Sequence, residues 1–163
     1  MKQYTLLVPL DGSDLAEAAL TKVEELAAMM EEPKLLLLRA AEAHTFPGVD
    51  PTEAQVKVVG EAERYLAAVA ARLQRKGIQH IQTSVWYGPP ADSILEAARY
   101  YHVDLIVMST HGRGGLGRLI LGGVAQSVIH GTTVPILLVR RPEAPVQPPE
   151  GAGRAREEKG PAG

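Results

Sequence analysis

Five short apolar runs punctuate the chain, and helical repeats of apolar residues fill the intervals between them. Leu6-Leu7-Val8 lies in the first run, within a strand-like stretch from Tyr4 to Pro9. Leu35-Leu36-Leu37-Leu38 is the second. Its unbroken apolar character implies a strand buried on both faces. Ile78 to Tyr87 is the third, where the alternating Gln79, Gln82 and Ser84 suggest a half-exposed edge strand. Leu105 to Met108 and Ile136 to Val139 are the fourth and fifth.

The first helix begins near Asp14, whose spacing to Glu17 suits a capping box. Leu15, Ala19, Val23, Leu26 and Met30 would form its buried face. A second helix is expected from Pro51-Thr52 to Gly77, with Thr52 and Gln55 as another capping box and Gly77 as its stop. Val59, Ala62, Leu66, Val69 and Leu73 should face inward. A third starts at Pro89-Pro90, where missing N–H groups do no harm, and offers Ile94, Leu95, Ala98 and Tyr101 to the core. The fourth runs from about Gly123 to His130. Strands alternating with helices imply parallel pairing and right-handed crossovers.

In such a sheet, ligands sit beyond the carboxyl ends of the strands, where strand order reverses. Two loops fall on that edge. One carries Asp11; the other opens after Met108 as Ser109-Thr110-His111-Gly112-Arg113-Gly114-Gly115 and leads through Gly122-Gly123 into the last helix. If the first and fourth strands are neighbours, these loops flank one crevice. A buried strand, a glycine loop and a helix N-terminus together suit an anion: glycines admit a close backbone approach, and the first helical N–H groups lack partners. A nucleotide or other phosphate ester is the expected ligand. Ala41 to Asp50 forms a loop long enough to cover one.

Composition narrows the classes. The 163 residues suffice for one domain. A net charge of −2 and scarce aromatics argue against nucleic acid and anionic membranes as partners. There is no cysteine, so disulfides and thiolate chemistry are excluded. The five histidines are scattered, and no metal site is expected. Met1-Lys2-Gln3 leads directly into the first strand, leaving no room for a signal peptide, and no apolar run reaches membrane-spanning length. A cytoplasmic location is expected. Residues 142–163, rich in Pro, Gly and charge, read as a flexible tail outside a domain spanning 1–141.

Val8-Pro9-Leu10-Asp11-Gly12-Ser13 resembles the opening signature of the universal stress protein family, and Asp104 to Gly115, Gly122 and the strand from Pro135 to Val139 resemble its closing signature. The resemblance covers roughly residues 4 to 140. It implies an open five-stranded parallel α/β sheet with helices on both faces, a Rossmann-like nucleotide-binding fold, usually homodimeric. One branch of that family binds ATP through Gly, two residues, Gly, nine residues, Gly, then Ser or Thr. Here Ser109 occupies the first glycine position, Gly112 and Gly122 match the next two, and Gly123 replaces the hydroxyl residue. Asp11 matches an acidic residue beside the nucleoside, and Ala40, placed after the second strand, matches a backbone contact to adenine. The candidate binding set is therefore Pro9, Asp11, Ala40, Ser109, Gly112, Arg113, Gly122, Gly123 and Val124. The ligand implied is ATP or another adenine nucleotide, with Mg as an optional companion. The partner implied is a second copy joined through the fifth strand.

Each residue also has a plainer reading. Asp11 could cap the first helix. Arg113 and Arg118 either clamp phosphates or are solvated charges. His111 is expected to make a structural hydrogen bond. Ser127 either reaches a phosphate or faces solvent, and Trp86 is expected to pack. Asp92 is a first-turn carboxylate favoured by the helix dipole. No residue is placed as a general base, and no glycine loop ends in Lys-Ser or Lys-Thr. A nucleotide-binding stress or regulatory protein with slow or absent hydrolysis is the leading expectation. A nucleotide hydrolase or transferase, and a dimeric interaction module that has lost its ligand, remain the alternatives.

Overall fold

A computed structural model describes residues 2–44, 46–110 and 122–144. The expectations for His111, Gly112, Arg113 and Arg118, and for the tail from residue 145 onward, lie outside the described residues. Five strands, β1 (Thr5–Pro9), β2 (Lys34–Ala41), β3 (Ile81–Tyr87), β4 (Leu105–Ser109) and β5 (Ile136–Val139), alternate with four helices. These are α1 (Asp14–Met29), α2 (Pro51–Arg75), α3 (Pro90–Tyr100) and α4 (Gly123–Gly131). All the pairings are parallel, in the order β3-β2-β1-β4-β5. The chain winds outward from β1 to β3, then returns to the other side of β1 and winds outward again. β1 and β4 are neighbours, so strand order reverses between them.

The two-residue period of the strands sorts their side chains into two cores. Leu6, Val8, Leu35, Leu37 and Val107 join Ala19, Leu20 and Val23 of α1 and Leu66, Val69 and Leu73 of α2. Leu7, Leu36, Leu38, Ile106 and Met108 face the opposite way, against Ile94, Ala97 and Ala98 of α3 and Ala125 and Val128 of α4. The leucine run in β2 thus serves both layers. β3 is an edge strand, as its alternation implies, and Trp86 packs into the second core. Val59 is half-buried, outside both clusters.

Several local expectations need correction. The cap of α1 is Ser13, not Asp14: its Oγ accepts the Ala16 N–H at 3.1 Å. Asp14 becomes the first helical residue, and Glu17 bonds to α2 instead of returning to the helix start. The cap of α2 is Asp50, which accepts the Thr52 N–H at 2.8 Å, so the Thr52–Gln55 box does not form. Pro51, preset for the first helical position, dictates that choice. β2 extends to Ala41, placing Ala40 inside the strand and shortening the following loop. β3 begins at Ile81, because Ile78 belongs to the end of α2.

That end is a Schellman motif. Gly77 (φ 96°) sends its N–H to Gln74 O, and Ile78 sends its N–H to Leu73 O. α3 ends the same way, with His102 N–H on Arg99 O and Val103 N–H on Ala98 O, but the left-handed residue is His102, at φ 50°. A Cβ is unfavourable in that conformation, and His102 is exposed with no packing to lose. His102→Gly should therefore stabilise the fold by about 0.5–1 kcal/mol, net of the extra chain entropy of glycine. A thermal melt should show Tm rising by about 1–4 °C.

At the amino end of the sheet, Asp104 joins β4 to β1. Its Oδ2 accepts the Thr5 N–H at 2.9 Å, its own N–H donates to Thr5 O at 2.9 Å, and Lys2 pairs with its carboxylate. The hydrogen bond from Lys2, then that from Thr5, holds the Asp104 carboxyl below its ordinary value. The carboxyl thus titrates lower when folded than when unfolded. Its contribution is complete above about pH 4 and fades as pH falls through the folded value. Urea midpoints between about pH 2.5 and 6 should decline less steeply in Asp104→Asn than in the parent.

Candidate functional site

The strand reversal leaves a cleft of about 180 Å³ at the carboxyl edge, between the β1–α1 turn and the start of α4. Seven of the nine residues singled out from the sequence line it: Pro9, Asp11, Ala40, Ser109, Gly122, Gly123 and Val124. Gly112 and Arg113 are the two outside the described residues. Ser127 is exposed and does not line the cleft.

The lining also includes residues that periodicity had assigned only to the core or had not singled out. Leu10, Leu15, Ala16, Leu38, Pro90, Ile94, Met108 and Ala125 give the cleft an apolar wall. Their sequence signal is positional: each stands at the carboxyl end of a strand or near the start of a helix. Such a wall suits a flat heterocycle, with a few polar groups to orient it.

The first polar group is Asp11. Its Oδ1 accepts both the Ser13 N–H, at 2.9 Å, and the Ser13 hydroxyl. Ser13 in turn caps α1. Asp11 therefore does not cap the helix itself; it braces the residue that does. Gly12 makes the turn possible at φ 86°, where a side chain would be strained. Asp11 is exposed and lines the cleft.

The second polar group is the backbone of Ala40. β1 ends at Pro9, opposite Leu38, while β2 continues to Ala41. Leu38 O faces β1 and accepts the Leu10 N–H at 2.8 Å; Ala41 O faces β3 and accepts the Gly88 N–H at 3.0 Å. By strand alternation the N–H and C=O of Ala40 face the β1 side, just past the point where β1 has ended. One donor and one acceptor thus border the cleft on the backbone of a rigid strand.

The third is the N-terminus of α4. Gly122 occupies the cap position and supplies no side-chain bond. The N–H groups of the first turn, at Gly123, Val124 and Ala125, have no carbonyl within the helix. With the positive end of the helix dipole, they suit an anion. Among the described residues, nothing lies within 4 Å of a methyl group built on Gly123.

Ser109 fits where glycine was the pattern. It lies in β4 and is not among the left-handed residues. Its hydroxyl donates to Ala16 O at 3.3 Å, tying β4 to α1. Its Cβ is thus accommodated without backbone strain.

Residues 4–140 match the sequence model of the Universal stress protein family. The chain belongs to that family. A universal stress protein of Thermus aquaticus is 36% identical over 140 residues, covering 83% of this chain and 98% of the relative. The solved structure of hypothetical protein MJ0577 of Methanocaldococcus jannaschii superposes with a TM-score of 0.71 at 24% identity, over 88% of this chain and 99% of that one. A universal stress protein solved in complex with cAMP superposes with a TM-score of 0.64 at 23% identity, over 83% and 96%. The five-stranded parallel α/β fold is thus the family's own.

Proposed function

We propose that this cleft binds an adenine nucleotide, ATP being the form expected, and that the protein acts as a nucleotide-responsive regulator in the cytoplasm. One observation carries the reading. The free backbone edge of Ala40 and the uncapped N-terminus of α4 open into the same apolar-walled cleft. The first suits the hydrogen-bonding edge of a base, and the second suits phosphates. Asp11, with an oxygen to spare, suits a ribose hydroxyl. The cAMP complex of a family relative supports an adenine nucleotide as the ligand class.

Turnover would be slow or absent. The carboxylate at the cleft, Asp11, already accepts two bonds from Ser13 and stands in the β1–α1 loop, at the other end of the cleft from α4. Mg would travel with the phosphates, since no three His, Asp or Glu side chains gather among the described residues.

Mass analysis of nucleotide released on denaturing the purified protein, followed by calorimetry with ATP, tests the assignment. Gly122→Val places a branched side chain in the cleft at a backbone φ of −57°, which valine tolerates, and should abolish binding in a folded protein. Gly123→Ser adds a hydroxyl where no described residue stands in the way and should tighten ATP binding by roughly tenfold. Unchanged affinity in folded Gly122→Val would remove the site from this cleft. No gain in Gly123→Ser would show that a hydroxyl is not what the phosphate end lacks.

The assembly we propose is a homodimer through β5. This strand pairs with β4 on one side and ends the sheet on the other, with Ile136 to Val139 all half-exposed. An apolar edge of this kind is normally covered, and two-fold pairing would cover it with its own copy. Sedimentation at micromolar concentration should report a dimer; a monomer would overturn it.

A further inference from the structure

Arg39 stands at the carboxyl end of β2, on the face shared with α1 and α2, next to Ala40 but outside the cleft lining. Its guanidinium has two neighbours. Cζ is 5.0 Å from the centre of the Tyr65 ring. The second neighbour is Gly12. A methyl group built there would come within 3.3 Å of Nη1 and 3.5 Å of both Cζ and Nη2. Three nearly equal distances place that point over the flat face of the guanidinium, not at its edge. The cation is therefore close to both an aromatic ring and the glycine of the β1–α1 turn.

The ring is itself anchored. Tyr65 donates its hydroxyl to Glu17 at 2.9 Å, and Glu17 pairs with Arg72 at 2.8 Å. Burial, then the bond to Glu17, raises the Tyr65 phenol well above its ordinary value, so it stays a neutral donor. Helix α2 thus holds the ring, the ring holds Arg39, and Arg39 lies against the turn that carries Asp11 and Ser13. Gly12 serves twice here: its positive φ shapes the turn, and its missing side chain admits the guanidinium.

We propose that Arg39 is a positioning residue for the nucleotide site, pressing the Gly12 turn into the shape that presents Asp11 to the ligand. This rests on the nucleotide reading of the cleft. Arg39 acts through Asp11 and does not itself touch the nucleotide.

The experiment uses the full chain and the variants Arg39→Met and Tyr65→Leu, which remove the cation and the ring that holds it; if one does not fold, the other decides. Amide hydrogen exchange at Ser13, whose N–H bonds Asp11, reports the turn without any ligand. Exchange should accelerate about fivefold or more in the nucleotide-free variant, and ATP affinity should weaken by a similar factor, as expected for loss of a partly desolvated cation–π contact. In an Asp11→Ala background the same change should alter ATP affinity by less than about twofold, since a residue acting through Asp11 has nothing left to position. Arg39→Lys, which keeps charge but not the flat face, should restore little of either.

Unchanged Ser13 exchange in a folded variant overturns the positioning role, even if the parent binds ATP well. An undiminished effect in the Asp11→Ala background overturns action through Asp11. A parent protein that ignores ATP overturns the nucleotide reading and this role with it. That outcome appears in the parent titration alone, whereas failure of the present inference appears only in the variants.

Discussion

The pairing of β1 with β4 is the constraint on which the rest of this molecule depends. It is set at the amino end of the sheet, where Thr5 and Asp104 exchange two hydrogen bonds and Lys2 neutralises the carboxylate. Leu6 then lies beside Leu105 and Leu7 beside Ile106. Because parallel strands keep step, that register fixes where each strand ends. β1 stops at Pro9, two residues short of Asp11, and β4 ends at Ser109. The β1–α1 turn and Thr110, which follows β4, therefore leave the sheet side by side. A slip of one residue would exchange the two cores and close the cleft with the wrong side chains.

The two helices that begin at this edge treat their N-termini in opposite ways. α1 is capped from within, by a serine that an aspartate braces. α4 begins at Gly122-Gly123 and has no side-chain cap. A capped terminus has less to offer an anion, and Asp11 beside it repels one. An uncapped terminus that starts with two glycines offers backbone donors with no side chain of their own in the way. This asymmetry gives the proposed site a direction: an anion suits the α4 end, and neutral hydroxyls and a base suit the end near Asp11 and Ala40.

Much of this was legible in the sequence, for identifiable reasons. The run from Leu35 to Leu38 could only be a doubly buried strand, and the polar alternation near Gln82 and Ser84 marked an edge. Seven of the nine binding candidates gather in one cleft because motif spacing reports loop positions well. What stayed hidden was decided by competition between neighbours. Asp14 looked like the cap, but Ser13, held by Asp11, took that place one residue earlier. Thr52 lost to Asp50 because Pro51 fixes where the helix starts. Arg39 gave no signal at all, since its role comes from Tyr65 and Gly12, far from it in the chain and meeting only after β2 and α2 have packed. Linear spacing carries no information about such a meeting.

The departures at residues 109 and 123 acquire a physical meaning from the same geometry. A serine in the first glycine position need not obstruct a ligand when its φ is ordinary and its hydroxyl has turned to Ala16 O. That bond stiffens the junction of β4 with α1, and so stiffens both walls of the cleft. At residue 123 the loss is real but local: a side-chain donor is gone while the N–H beneath it remains. Helix N-termini hold anions chiefly through backbone donors and the dipole, which any residue but proline preserves. In the nucleotide reading we propose, the site lacks one side-chain contact at its phosphate end and keeps the backbone donors there. In the proposed site, discrimination would rest on the end where Ala40 stands near the end of a paired strand and Asp11 stands in the turn after β1.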